Sequence, residues 1–227
     1  MKSPLNEIFD KIYCINLDKR PDRWREVSTF FRKYNIEVER FRAVDGNPMR
    51  WNQSKYKHAK SGAFNGAMGC IASHLAIWKL AKQNNYKSIL IIEDDCDLEE
   101  NFNNLFNSLY PRVPSDWDLL YLGGVHDTVG GIYTPIKVTD GVVTGKKIIT
   151  TTCYAIKNTI YDLAIDIIER DIPNPYTAVD GYLSSEIQPV TRTYAFQPVL
   201  AWQRASYSDI QNGFRDYVQL LRKNNIK

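Results

Sequence analysis

Four carboxylates fall within five residues in the run Glu93-Asp94-Asp95-Cys96-Asp97. They repel one another, and they follow directly on the apolar run Ser88 to Ile92, which reads as a buried strand. Carboxylates drawn partly out of water need a counter-charge. A divalent cation supplies one. Hard oxygen ligands suit Mn²⁺ or Mg²⁺, which keep several waters and take one or two carboxylates together with substrate phosphates. Glu93 with Asp95, and Asp95 with Asp97, both have the spacing of a D-x-D pair. A solvated acidic helix start is the competing reading, because Asp97, Glu99 and Glu100 precede a helix-like stretch at Phe102.

Two further stretches carry chemistry. In Asn16-Leu17-Asp18-Lys19-Arg20-Pro21-Asp22-Arg23-Trp24, Pro21 fits the first position of a helix and Asp22 its first turn. A helix N-terminus attracts phosphate, and Arg20 and Arg23 add charge-assisted hydrogen bonds. Many helices begin this way, so the stretch is not specific by itself. Trp24 reads as core ahead of a base-stacking surface. In Gly69-Cys70-Ile71-Ala72-Ser73-His74, Ser73 and His74 are polar groups on an otherwise apolar helix and need partners. His74 reads as a hydrogen-bonded structural histidine ahead of a metal ligand or base.

The elements that position these groups alternate. Residues 11–17 and 36–44 read as extended segments, with a helix over 21–34 between them. A polar loop over 47–65, carrying Trp51, Tyr56, His58 and Gly62, is either a lid or plain surface. A buried helix over 66–85 precedes the central strand. A strand over 118–122 is expected to stop at Gly123-Gly124, and Asp140-Gly141 marks a hairpin within 129–149. Then come a strand over 150–156, a helix from Asn158 to about Arg170 and a short helix after Asp180-Gly181. A strand over 192–196 and an amphipathic helix over 208–223, through Ile210, Phe214, Val218 and Leu221, close the chain. This order predicts an α/β sheet, parallel in its core, with helices on both faces. Ligands bind such sheets beyond the carboxyl ends of the strands, where the turn at 18–23 and the acidic run both fall.

The 227 residues, 44% of them hydrophobic, suit one domain with a sizeable core. A net charge of +3 without a dense Lys/Arg block argues against nucleic acid. Cys14, Cys70, Cys96 and Cys153 form no CxxC pair and read as free, mostly buried thiols of a reducing compartment. There is no apolar leader segment and no stretch near the roughly 20 residues of a membrane span, so a soluble, cytoplasmic protein is expected. The final helix, with Arg222-Lys223, offers a peripheral membrane contact, although packing on the domain is the plainer expectation.

In order, KIYCINLDKRPDRW, FRAVDG, GAMGCIASHLAIWKLA, ILIIEDDCDL and WDLLYLGG resemble glycosyltransferase family 25. That family includes bacterial lipooligosaccharide galactosyltransferases and collagen hydroxylysine galactosyltransferases. Thr151 to Ile156, Ala178-Val179-Asp180-Gly181, Gln197-Pro198 and Ser208-Asp209-Ile210 extend the resemblance over about residues 10–210. It implies one GT-A-like domain, with a nucleotide-sugar-binding half over 1–125 and an acceptor-binding half over 126–227. It also implies Mn²⁺ (or Mg²⁺), a UDP-sugar donor (UDP-galactose or UDP-glucose) and inverting transfer to a glycan, lipooligosaccharide or hydroxylysine acceptor. By the same resemblance Asp95, with Glu93 and Asp97, holds the metal. Asn16, Leu17, Arg20, Arg23, Ala43, Asp45, Ser73 and Asp94 line the nucleotide pocket. Many GT-A enzymes complete the metal shell with a late His, whereas no His follows His126 here, so Asp209, Gln203 or water must substitute. Asp180 is the candidate general base, with a helix N-cap as its alternative role. The competing functions are a non-catalytic sugar-nucleotide-binding protein of the same fold and another α/β nucleotidyltransferase. The latter needs a glycine-rich phosphate loop that is not visible.

Overall fold

The structure, a computed structural model, describes residues 2–56, 64–127, 134–208 and 213–216. The chain runs α1 (Pro4–Ile8), β1 (Lys11–Asn16), α2 (Pro21–Lys33), β2 (Glu39–Arg42), α3 (Phe64–Gln83), β3 (Ser88–Glu93), β4 (Cys96–Leu98), α4 (Phe102–Leu109) and β5 (Leu119–His126). It continues through β6 (Lys137–Thr139), β7 (Val142–Thr144), β8 (Ile148–Lys157), α5 (Tyr161–Asp171), α6 (Val179–Tyr182), β9 (Thr193–Phe196), β10 (Ala201–Gln203), β11 (Ser206–Ser208) and β12 (Gly213–Arg215).

Eight strands form one sheet in the order β2-β1-β3-β8-β5-β9-β7-β6. β1, β2 and β3 are mutually parallel, and β5 is parallel to β9. The long strand β8 lies between β3 and β5 and is antiparallel to both. The expected sheet of mixed α/β type is therefore present, with one reversed strand at its centre. Composition could not reveal that reversal. β8 is covered on both faces over most of its length, so, like a parallel strand, it shows no in–out alternation from which its direction could be read. β8 also threads residues from the second half of the chain between strands of the first.

Alternation along the strands builds two cores. Ile12, Cys14, Leu90, Ile92 and Leu120 meet α1, α2 and α4 through Leu5, Val27, Phe31 and Phe106. Tyr13, Ile89, Ile91, Leu119 and Tyr121 meet α3 and α5 through Ile77, Trp78, Ile165 and Ile168. Trp24 packs on the first of these cores, as expected. The cysteines are free, with Cys14, Cys96 and Cys153 buried. Asp140-Gly141 turns the β6–β7 hairpin, with Gly141 at φ +80.

Two expectations are corrected. Strand β5 does not stop at Gly123-Gly124 but runs through both to His126. A Cβ at Gly123 would stand 2.3 Å from the Ala201 carbonyl oxygen, so glycine there admits β10 against β5. The predicted helix over 208–223 is not formed where it is described. Instead β11 and β12 pair antiparallel, with Tyr207 opposite Phe214. Phe214 is 66% exposed, so it does not serve as a core-facing residue of that helix. His58, Gly62, Gly131, Asp209, Ile210, Val218 and Leu221 lie outside the described residues. Among the described residues no helix is long and apolar enough to cross a membrane.

The segment after β2 is held against α3 by two glycines. A Cβ at Gly69 would lie 2.4 Å from Val44 O and 2.8 Å from Gly46 N, and one at Gly46 would lie 1.9 Å from Asn65 O. Backbone cannot yield there as a flexible side chain can. Gly69→Ala is therefore expected to destabilise the fold by about 1–3 kcal/mol, the usual range for overpacking. A midpoint of urea unfolding equal to that of the unaltered protein would contradict this close approach.

Candidate functional site

The carboxyl ends of β1, β2 and β3 and the start of β8 share one edge of the sheet. A cleft there has an empty volume of about 800 Å³, counting its solvent-open part. Asn16, buried at the end of β1, ties this edge together. Its Nδ2 donates to Asp94 Oδ2 at 2.7 Å and to Arg20 O at 3.0 Å, and its Oδ1 accepts from Arg40 Nε at 2.8 Å.

The acidic run is not a helix start. Glu93 ends β3, Asp94 and Asp95 make a turn, and β4 then pairs with β10. Strand alternation sends Cys96 and Leu98 inward and Asp97 outward, where Asp97 lies 3.2 Å from Arg204 Nε. Asp97 is thus parted from the other three carboxylates. Both oxygens of Asp94 are engaged, Oδ2 by Asn16 and Oδ1 by Arg23 Nη1 at 2.8 Å. Asp95 Oδ2 accepts from Gln203 Nε2 at 3.0 Å and from Arg23 Nη1 at 3.4 Å. Asp95 Oδ1 is buried without a hydrogen-bond partner among the described residues. Glu93 accepts from Thr151 Oγ1 at 2.6 Å.

Burial first, and the charge of Asp95 second, push the Glu93 carboxyl up to about 8. Burial also raises Asp94, against the opposing pull of Arg23 and Asn16. Arg23 is the balancing cation of this cluster. Its Nη2 donates to Ser206 Oγ at 2.9 Å and to Tyr207 O at 2.5 Å, so it also pins β11 over the cleft.

Of the residues expected at a nucleotide pocket, Leu17, Arg23, Ala43, Asp45, Ser73 and Asp94 line the cleft. Ser73 Oγ accepts from Val44 N at 2.8 Å and donates to Gly69 O at 2.7 Å, which fixes the wall. Arg20 does not reach the cleft lining. It forks onto Asp22, at 2.9–3.3 Å. Asn16 acts from beneath through Asp94. Asp180 lies in the first turn of α6, whose N-cap is Ala178, so the capping role falls away. Its carboxylate accepts from Gly181 N at 2.8 Å and Thr150 N at 3.2 Å. Thr150 has φ +70, a strained value for a β-branched residue, and sits where β8 and β5 slip register. The charge of Asp180 is felt at Glu93 and Cys70.

Two residues of the site, Lys19 and Thr151, were given no role by the sequence reading. Lys19 pairs with Asp45 at 3.3 Å at the mouth. Gln203, named beforehand as a substitute metal ligand, instead donates its amide to Asp95. Thr151 orients Glu93; its signal would have been a polar residue in an apolar strand. In the loop over 47–65, Tyr56 is buried edge-on to Phe64, and Trp51 donates to Gly46 O at 3.2 Å. Tyr56 belongs to the core on the α3 side of the sheet, and Trp51, partly buried, packs against it. His74 is fully buried, with Nδ1 2.8 Å from Tyr154 Oη. Burial holds its ring down at about 3, so it stays neutral.

The sequence model of a family described as "Glycosyltransferase family 25 (LPS biosynthesis protein)" matches residues 9–129. A human protein, Procollagen galactosyltransferase 2, is 31% identical over 129 residues, which is 51% of this chain and 21% of the human one. A bovine protein described as "Probable inactive glycosyltransferase 25 family member 3" is 29% identical over 136 residues, 54% of this chain and 23% of its own. The chain thus spans about a fifth of the length of these relatives. A solved structure of "a glycosyltransferase involved in the glycosylation of the major capsid of PBCV-1" covers 95% of this chain and 100% of its own, with a TM-score of 0.49 and 9% identity.

Proposed function

The chain belongs to glycosyltransferase family 25, and from that premise we propose that it is a metal-dependent, inverting hexosyltransferase. It moves galactose from UDP-galactose to a hydroxyl of a glycan or hydroxylysine acceptor. The observation that carries this reading is Asp95 Oδ1, a buried carboxylate oxygen on the wall of the cleft without a hydrogen-bond partner among the described residues. An orphan anionic oxygen beside a second carboxylate, Glu93, fits a hard divalent cation better than any neutral group.

Asp95 and Glu93 would hold the cation. Asp97 is turned away to Arg204, and Asp94 has both oxygens committed. When bound, Mn²⁺ or Mg²⁺ neutralises charge on the departing diphosphate. Arg23 and Lys19 add cationic donors at the same wall. Leu17, Ala43 and Asp45 receive the nucleoside. Asp180, outside the acidic run, takes the proton of the acceptor hydroxyl as the new glycosidic bond forms.

Asp180→Asn is expected to lower turnover by about 10²- to 10⁴-fold, the usual worth of a general base. Its affinity for UDP should stay within about threefold, because the amide still accepts one backbone hydrogen bond. Unchanged turnover removes Asp180 from this role. The whole reading is tested by a UDP-release screen over UDP-Gal, UDP-Glc, UDP-GlcNAc and UDP-GalNAc, with Mn²⁺ or with chelator. Release from UDP-Gal that needs the metal is expected, and release from none of the four refutes it.

A second reading, a sugar-nucleotide-binding protein without transfer, gains support from the description of the bovine relative as inactive. The carboxylates Glu93, Asp94 and Asp95 all being in place favours catalysis. Saturable UDP-sugar binding with no release under any acceptor would favour the second reading.

A further inference from the structure

Cys70 and His74 lie one helical turn apart on α3, so their side chains share one face. That face is turned to the end of β3. One ligand atom each from Cys70, His74 and Glu93 lie within 4.8 Å of one another. This is a different set from the Asp95 oxygen described above, with a thiol and an imidazole in place of hard oxygens alone.

Three independent features point the same way. First, His74 Nε2 is buried and has no hydrogen-bond partner among the described residues. A buried polar atom left alone is costly, and it calls for a reason. Second, the groups behind the cluster are arranged as second neighbours of a metal site. Tyr154 Oη fixes the His74 ring through Nδ1 at 2.8 Å, and Trp78 Nε1 in turn donates to Tyr154 Oη at 3.1 Å. Thr151 Oγ1 likewise fixes the Glu93 carboxylate at 2.6 Å. Ligating histidines and carboxylates are commonly oriented in this manner. Third, Cys70 and Glu93 are only partly buried and line the cleft, which gives a path of entry.

We infer that Cys70, His74 and Glu93 form a binding site for a thiophilic divalent cation of the Zn²⁺ class. Sulfur, imidazole nitrogen and carboxylate oxygen are the donor types such an ion takes, with three protein ligands and a fourth position open to the cleft. Bonds of about 2.0–2.3 Å place tetrahedral ligands about 3.3–3.8 Å apart, so modest rotamer changes close the cluster. Ligation leaves Nε2 without a proton and Nδ1–H donating to Tyr154 Oη. The Cys70 thiol gives its proton to solvent as it binds. Glu93 also belongs to the metal site of the proposed function. Resting on that reading, filling the Cys70 site draws Glu93 away and opposes Mn²⁺-dependent UDP binding.

The test uses the whole reduced chain and Co²⁺, which reports its own ligands. One equivalent of Co²⁺ should give an intense near-ultraviolet thiolate-to-cobalt band together with the visible bands of a four-coordinate ion. Zn²⁺ should displace it. Cys70→Ser, a near-isosteric change, should abolish the thiolate band, and Tyr154→Phe should weaken Co²⁺ affinity roughly 10- to 100-fold, as for a lost second neighbour. Absence of the band in the unaltered protein, or its survival in Cys70→Ser, overturns the inference. The band does not depend on UDP. Failure of Mn²⁺-dependent UDP binding with the band intact therefore refutes the proposed function, not this site.

Discussion

Asp95→Asn is expected to weaken Mn²⁺-dependent UDP binding by at least about 100-fold, beyond the loss typical of outer-sphere changes at metal sites. The reason lies in the surroundings of the carboxylate. Oδ2 already faces two donors, Gln203 Nε2 and Arg23 Nη1, while Oδ1 is buried and unpartnered among the described residues. An amide must put its NH₂ on one side or the other. Facing Gln203 and Arg23, it sets donor against donor. Turned the other way, it offers hydrogens where a cation needs lone pairs. Either orientation removes the anionic ligand. Calorimetric titration with UDP, with and without Mn²⁺, measures the effect, and an affinity within threefold of the unaltered protein would remove Asp95 from the metal site.

Arg23→Met should cost about 3–5 kcal/mol of stability, the range for removing one partner of a buried ion pair. The pair qualifies as buried, since the Arg23 and Asp94 side chains are each only 12% exposed. Removal also leaves Asp95 without its nearest cation and releases Ser206 and Tyr207. Two companion measurements separate charge from packing. Mn²⁺ should restore part of the loss, because a cation again offsets the carboxylates. The double variant Arg23→Met with Asp94→Asn should lose less than Arg23→Met alone, since one fewer charge is stranded. Urea unfolding gives each value. A loss under about 1 kcal/mol for Arg23→Met would place the pair among ordinary surface ion pairs.

Much of this site was legible because its signals are local. The apolar run Ser88 to Ile92 followed by carboxylates placed the acidic cluster at the end of a buried strand, and the helices over α2 and α3 followed from Pro21 and from apolar periodicity. What failed depended on partners distant in the chain. Asp97 has D-x-D spacing, yet β10 pairs with β4 and alternation turns it outward to Arg204. Gly123-Gly124 look like a stop, yet they remain in β5, where a Cβ at Gly123 would meet Ala201 of β10 and one at Gly124 would meet Ile148 of β8. Arg20 and Arg23 read as equivalent, yet only Arg23 points back at the carboxylates, while Arg20 forks onto Asp22. The terminal helix was predicted from four apolar residues, and Phe214 instead pairs in a hairpin and stays exposed. His74 was expected to be hydrogen-bonded. One ring nitrogen is, and the other has no partner among the described residues.

The central claim is that the cleft at the ends of β1, β2 and β3 binds a sugar nucleotide through a divalent cation. Titration calorimetry of UDP-galactose into the intact protein tests it most directly, once with Mn²⁺ and once with chelator. Saturable binding of one equivalent that is lost on removing the metal is the predicted result. Equal binding with and without Mn²⁺, or no binding in either case, would contradict it.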